Sequence, residues 1–145
     1  MRAADDLRSA LVECLPKLQA LSEGAASAKR SEGKWARKEV LGHLIDSAVN
    51  NHQRFVRAQL QARLVWPGYE QEAWVRVQRY AERSWRELLF LWEALNLHLA
   101  HVMEAVPAER LETPCVIDDK PVTLGWLMTD YVRHLRHHVA QILAG

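Results

Sequence analysis

The chain has 145 residues, 49% of them apolar and 26% charged, the balance expected of one globular domain spanning residues 1–145. Nineteen Lys and Arg stand against 18 Asp and Glu, and a formal net charge of +1 argues against nucleic acid or an anionic membrane as a partner. With no apolar leader at the start and no run near the roughly 18 to 20 apolar residues that span a bilayer, a cytoplasmic location is expected.

The first predicted helix runs from Asp5 to Leu21, where Leu7, Leu11, Leu15, Leu18 and Leu21 recur three or four apart. Pro16 lies inside it as a possible kink or shifted start. Ser22 to Gly33 turns to Ser, Ala, Gly and Lys without a period and reads as a surface connection. A second, long helix follows from Arg37 to about Arg63, carrying Val40, Leu41, Leu44, Ala48 and Phe55 on its apolar stripe. Glu39 stands where a capping box places it, but Ala36 occupies the N-cap and offers no side-chain acceptor. Trp66-Pro67-Gly68 ends the segment in a turn.

A short helix is predicted over Glu70–Tyr80, and Ser84-Trp85-Arg86-Glu87 is the capping box of a third long helix reaching Val106. Leu111 to Val122 contains two prolines and the turn-like Asp118-Asp119, so it reads as a loop or small hairpin. Thr123 then caps a fourth long helix running nearly to Gly145. The expected architecture is all-α: a four-helix bundle, a short extra helix between its second and third members, and no convincing sheet. Cys14 and Cys115 form no disulfide framework or CxxC motif, and the pattern assigns them no role.

The fourth helix carries the chemistry. His134 and His138 are four apart, so their imidazoles project from one side about a turn apart and reach a single ion without bending the backbone. The competing structural reading is that each is satisfied by a neighbouring hydrogen bond. A face of His134, His137 and Gln141 is also conceivable, but His137 lies beside Arg133 and Arg136 on the more polar arc, which favours His138 and places His137 at the surface. A third candidate, His43, sits between Val40, Leu44 and Ser47 on the inward face of the second helix. Bundle metal sites are assembled from inward side chains on different helices, which brings His43 into the same set.

Gly33-Lys34-Trp35, Glu39-Val40-Leu41-Gly42-His43-Leu44-Ile45-Asp46, Asn50, Arg54-Phe55, Pro67-Gly68-Tyr69 and His134 to Ile142 together resemble the DinB/YfiT-like superfamily. That resemblance covers most of the chain from Trp35 onward and departs at Ala36, where Ser or Thr is frequent. It implies a homodimeric four-helix bundle holding divalent zinc or nickel through three histidines, which fall on His43, His134 and His138. It also implies two kinds of activity, metal-dependent hydrolysis or transfer of low-molecular-weight thiols such as bacillithiol or mycothiol.

Three neutral imidazoles leave a coordination position open to water or thiol, the mark of catalytic rather than closed structural sites. Asp46 and Asn50 share the general face of His43, and Gln141 follows His138, so these three are candidates to orient an imidazole or touch a small-molecule substrate. Trp35, Trp66, Tyr69 and Trp74 are placed to wall the open end. Arg54 and Arg57 read as a solvated face, with pairing to an anionic substrate the lesser option, and His52, His98 and His101 as scattered residues without a role. The leading expectation is a metal-dependent thiol S-transferase or hydrolase. Its alternative is a non-catalytic stress-related binding or dimerisation module with a structural or absent metal.

Overall fold

The computed structural model describes residues 2–145. Its long helices are α1 (Ala3–Gln19), α3 (Arg37–Ala58), α5 (Trp85–Ala105) and α6 (Leu124–Leu143), joined by the short helices α2 (Glu23–Ser27) and α4 (Gln71–Gln78). The long helices pack as a ring in the order α1, α5, α3, α6, so α3 and α6 are neighbours while α1 lies diagonally across from α3. Leu7, Leu18, Leu41, Leu44, Phe55, Leu88, Trp92, Leu99, Leu135 and Ile142 fill the middle of this ring and are essentially inaccessible. Leu7, Leu18, Leu41, Leu44 and Phe55 among them lie on the apolar stripes read from the sequence.

The boundaries moved where local chemistry overrode the period. Pro16 sits in the last turn of α1, and the helix stops at Gln19. α3 ends at Ala58 rather than near Arg63, because the backbone turns there to enter a strand. The Ser22–Gly33 connection contains α2, whose first turn is held by Ser22 Oγ accepting the Ala25 N–H at 3.1 Å. α2 has a structural purpose. The Glu23 carboxylate accepts the Trp85 N–H at 2.9 Å and pairs with the buried Lys38 ammonium at 2.5 Å, tying α2 to the starts of α3 and α5. These two partners hold the Glu23 carboxyl below the usual carboxylate range.

The segment Leu111–Val122, read as a loop or small hairpin, forms the hairpin, and a third strand joins it into a sheet that was not expected. β1 (Leu64–Trp66) runs parallel to β2 (Pro114–Ile117), which pairs antiparallel with β3 (Lys120–Thr123). Strands of three and four residues are too short for a two-residue alternation to register in the sequence. The turn read at Asp118-Asp119 is the hairpin turn: both residues take left-handed φ values, 49° and 65°, the pattern of a two-residue hairpin turn. The sheet links the segment following α3 to the segment preceding α6. Thr123 closes β3 and also caps α6, its Oγ1 accepting the Trp126 N–H at 3.1 Å. Among the described residues no helix is long and apolar enough to cross a membrane.

Candidate metal centre

His43 lies in a stretch of α3, Val40 to Ala48, that is buried throughout, because here α3 meets α6 on one side and α4 with the turn after it on another. Gly42, an unusual residue for a helix interior, is explained by Tyr80. A Cβ at Gly42 would stand 2.2 Å from the Tyr80 ring, so the glycine lets the ring lie flat on the helix. Tyr80 then donates its hydroxyl to Asp46 Oδ1 at 2.7 Å, and Gln78 Nε2 donates to the same oxygen at 2.8 Å.

Across the gap, α6 presents His134 and His138. The Nε2 atoms of His43 and His134 are 3.4 Å apart, those of His134 and His138 are 3.1 Å apart, and one ring nitrogen from each of the three lies within 4.8 Å of the others. Two short contacts converge on His134 Nε2, which has one proton or one lone pair to offer, so hydrogen bonding alone cannot satisfy both contacts well. A cation accepts all three lone pairs. Tetrahedral nitrogen ligands about 2.0 to 2.1 Å from zinc stand roughly 3.4 Å from one another, so the donor set fits a small divalent ion.

Electrostatics favour the same protonation. Burial lowers the pKa of His43 to about 4, with His134 and His138 adding repulsion, and burial followed by the charge of His138 lowers His134 to about 4. His138 is also lowered, mainly by burial, while Gln141 opposes the shift. All three rings are therefore held neutral, the ligand form. His138 Nδ1 lies 2.8 Å from Gln141 Oε1, and an Nδ1–H donated there leaves Nε2 free as a lone pair facing the centre.

The remaining sequence candidates fall differently. Among the described residues Asp46 makes neither a salt bridge nor a hydrogen bond to an imidazole; its Oδ1 holds Tyr80 and Gln78, and its buried Oδ2 has no partner there. His43 Nδ1, one turn earlier on α3, is likewise buried without a partner. Burial raises the Asp46 pKa against the lowering effect of its two donors. Asn50 is spent locally, donating to the Asp46 carbonyl at 2.9 Å. His137 is exposed, as its polar arc implied.

Of the aromatic wall, the Trp35 ring lies 5.5 Å from His43, and Tyr69 meets Trp74 edge-on at 5.1 Å. Trp66 instead supports the Arg57 guanidinium, 4.5 Å above its ring. A cavity of about 360 Å³ opens beside His134, walled by Tyr69, Ile117, Trp126, Leu127 and Arg54 among others. Arg54 belongs to this cavity rather than to a solvated face, which corrects the sequence reading, whereas Arg57 is exposed. Trp126 was missed altogether. Its signal was its place eight residues before His134, a little over two turns earlier in the same helix and about 80° around it. His52, His98 and His101 are not scattered: His52 and His98 stack edge-on at 5.2 Å, and His101 lies 6.3 Å from His98.

The DinB superfamily model matches residues 4–142, almost the whole chain. The chain belongs to the DinB superfamily. This DinB-like chain is also similar in structure to YfiT from Bacillus subtilis, described as a probable metal-dependent hydrolase with an unusual four-helix bundle topology. The TM-score is 0.83 at 19% identity, covering 97% of this chain and 81% of that one, which establishes the shared fold. No curated protein sequence matches the chain. The expected four-helix bundle is thus the fold of this DinB-like protein.

Proposed function

We propose that this DinB-like chain is a metal-dependent enzyme, a thiol S-transferase or hydrolase, whose centre is His43, His134 and His138. The observation that carries the reading is the convergence of three neutral Nε2 atoms from two neighbouring helices beside an open cavity. When bound, a zinc or nickel ion supplies Lewis acidity that lowers the pKa of a thiol or water in its open position.

The chain's own residues do the rest. The three Nε2 atoms supply the ligand set, and Gln141 fixes the His138 tautomer through its 2.8 Å contact. Asp46 and Tyr80 stiffen α3 one turn from His43, and Trp35 covers the His43 ring. The substrate is a small molecule, admitted through the cavity beside His134. Description of YfiT as a probable metal-dependent hydrolase supports the hydrolytic arm, and the open ligand position serves a low-molecular-weight thiol equally well. Buried free thiols at Cys14 and Cys115 are compatible with a reducing cytoplasm. α5 exposes Phe90 and Leu97, seven residues apart on one face, which supports a homodimer; sedimentation of Phe90→Glu against the parent tests it.

The test of function is elemental analysis of protein purified without a histidine tag, followed by a screen of ester hydrolysis and thiol transfer. About one divalent ion per chain and a turnover abolished by His43→Ala support the reading. A full metal site with no turnover of either class assigns the protein instead to a non-catalytic, stress-related binding module.

A further inference from the structure

We propose that the substrate bound beside the three imidazoles carries a carboxylate, and that Arg54 is its anchor. The inference rests on the reading of that centre as a substrate site and adds the class of substrate it takes. Arg54 follows His43 by eleven residues, three helical turns to within about 20° of the same face, and its side chain leans back toward the N-terminal turns of α3. It lines the cavity that also touches His134.

Its surroundings leave the charge only partly compensated: burial disfavours the charged guanidinium and outweighs Asp118, which lines the same cavity and favours it. The guanidinium makes no ion pair among the described residues, and its Nε is buried without a hydrogen-bond partner. Its one contact, Nη1 to Asn51 Oδ1, is at the outer limit of 3.5 Å. Among the described residues the other buried or half-buried cations are engaged: Lys38 by Glu23, Arg37 by the Ile142 and Ala25 carbonyls, Arg136 by Asp6 and Glu13, Arg8 by Glu104, and Arg30 and Arg110 by the Gln141 and Gln61 carbonyls. A guanidinium withdrawn from water without an acceptor is costly, and a planar carboxylate offers the two oxygens its fork requires.

The rest of the cavity limits the ligand to one negative charge at this end. Lys120 faces into the same space, but so do Asp118 and Asp130, and Asp130 is already taken by Arg133 at 2.5 Å. Tyr69, Ile117, Trp126 and Leu127 give the walls apolar surface for the body of the molecule. The Cα atoms of His43 and Arg54 lie about 16 Å apart along α3. The carboxylate and the reacting group are therefore separated by several bonds.

The experiment follows the Arg54 Nε–H resonance of nitrogen-15-labelled protein during titration with 3-phenylpropionate, its neutral amide and inorganic phosphate. It is run on zinc-loaded and metal-free samples, with zinc content measured on each. The expected result is a downfield shift with the acid, binding at least about tenfold tighter than the amide and tighter than phosphate. In Arg54→Gln, fluorescence of Trp126 and its neighbours should report that this preference has collapsed, and Arg54→Lys should restore part of it. Equal binding of acid and amide, no binding of either, phosphate binding as tightly as the acid, or a preference unchanged in Arg54→Gln each overturns the proposal. Should Arg54→Gln fail to fold, the resonance of the parent and the Arg54→Lys titration still decide. An acid preference kept in metal-free protein whose zinc-loaded form holds no zinc refutes the metal reading while leaving the carboxylate site intact.

Discussion

Two histidine groups in this molecule are built from the same parts. Each takes two residues from one helix and one from α3: His134 and His138 of α6 with His43, and His98 and His101 of α5 with His52. Their ring separations overlap, 4.5 to 5.2 Å in the first group and 5.2 to 6.3 Å in the second. Only the first forms a possible ion-binding set among the described residues. His43 is 1% exposed and framed by buried neighbours, whereas His98 and His101 are exposed and His98 follows the exposed Leu97. In the second group His52 is half-buried, while water solvates His98 and His101 and leaves their nitrogens free. Burial deprives the first group of that choice, and α6 directs two of its nitrogens at the third. Spacing therefore nominates a site, and desolvation with a common focus makes one.

The sharpest way to break this comparison is to remove one residue from each group. His134→Ala is expected to weaken zinc binding more than about hundredfold, while His98→Ala leaves both stoichiometry and affinity unchanged, as read by competition with a chelator. Equal losses would mean that the ion does not choose the buried group.

Acid should separate the groups in metal-free protein. His43 and His134 have folded pKa values of about 4, depressed from 6.5, so their contribution to stability is complete above pH 6.5 and is lost as pH falls toward 4. The melting temperature should drop by on the order of 10 °C across that window, and the drop should shrink in His134→Phe but persist in a His98→Ala, His101→Ala double variant.

The buried support beneath the first group gives a smaller effect. Gly42→Ala must displace the Tyr80 ring, and a cost of about 1 to 3 kcal/mol is expected in urea unfolding. A neutral result would remove the clamp on Asp46 from the explanation. Gln141→Ala should lower zinc affinity about tenfold through loss of the His138 tautomer lock, and His137→Ala should leave it alone.

The helices were legible because each carries a long apolar stripe, and the three imidazoles were legible because two are four apart and the third interrupts the run from Val40 to Ala48. α2 was hidden by its five residues, and the pairing of β1 with the hairpin by strands of three and four. Arg54 and Arg57 illustrate the harder limit. Three residues apart on one helix, they have the same chemistry in the sequence, and only the fold sets them apart: Arg54 lines a cavity shared with the hairpin residues Ile117 to Val122, and Arg57 lies over Trp66 of β1. Asp46 was read as a residue to orient an imidazole or touch substrate because nothing local announces that Tyr80, 34 residues on, would reach it.

The junction at Thr123 has a consequence for rotation. The strand register Pro114 to Thr123 and the first turn of α6 share that residue, so no slack separates the sheet from the helix. Helical phase in α6 is thus counted from the hairpin: one residue inserted after Thr123 turns everything beyond it by about 100°. His134 and His138 would swing away from His43 together, still perfectly spaced on their own helix. An insertion between Gln59 and Arg63 lies downstream of His43 and spares its phase. The chain keeps its imidazoles in step by a gear set at one tooth, and that tooth is a threonine eleven residues from the nearest imidazole.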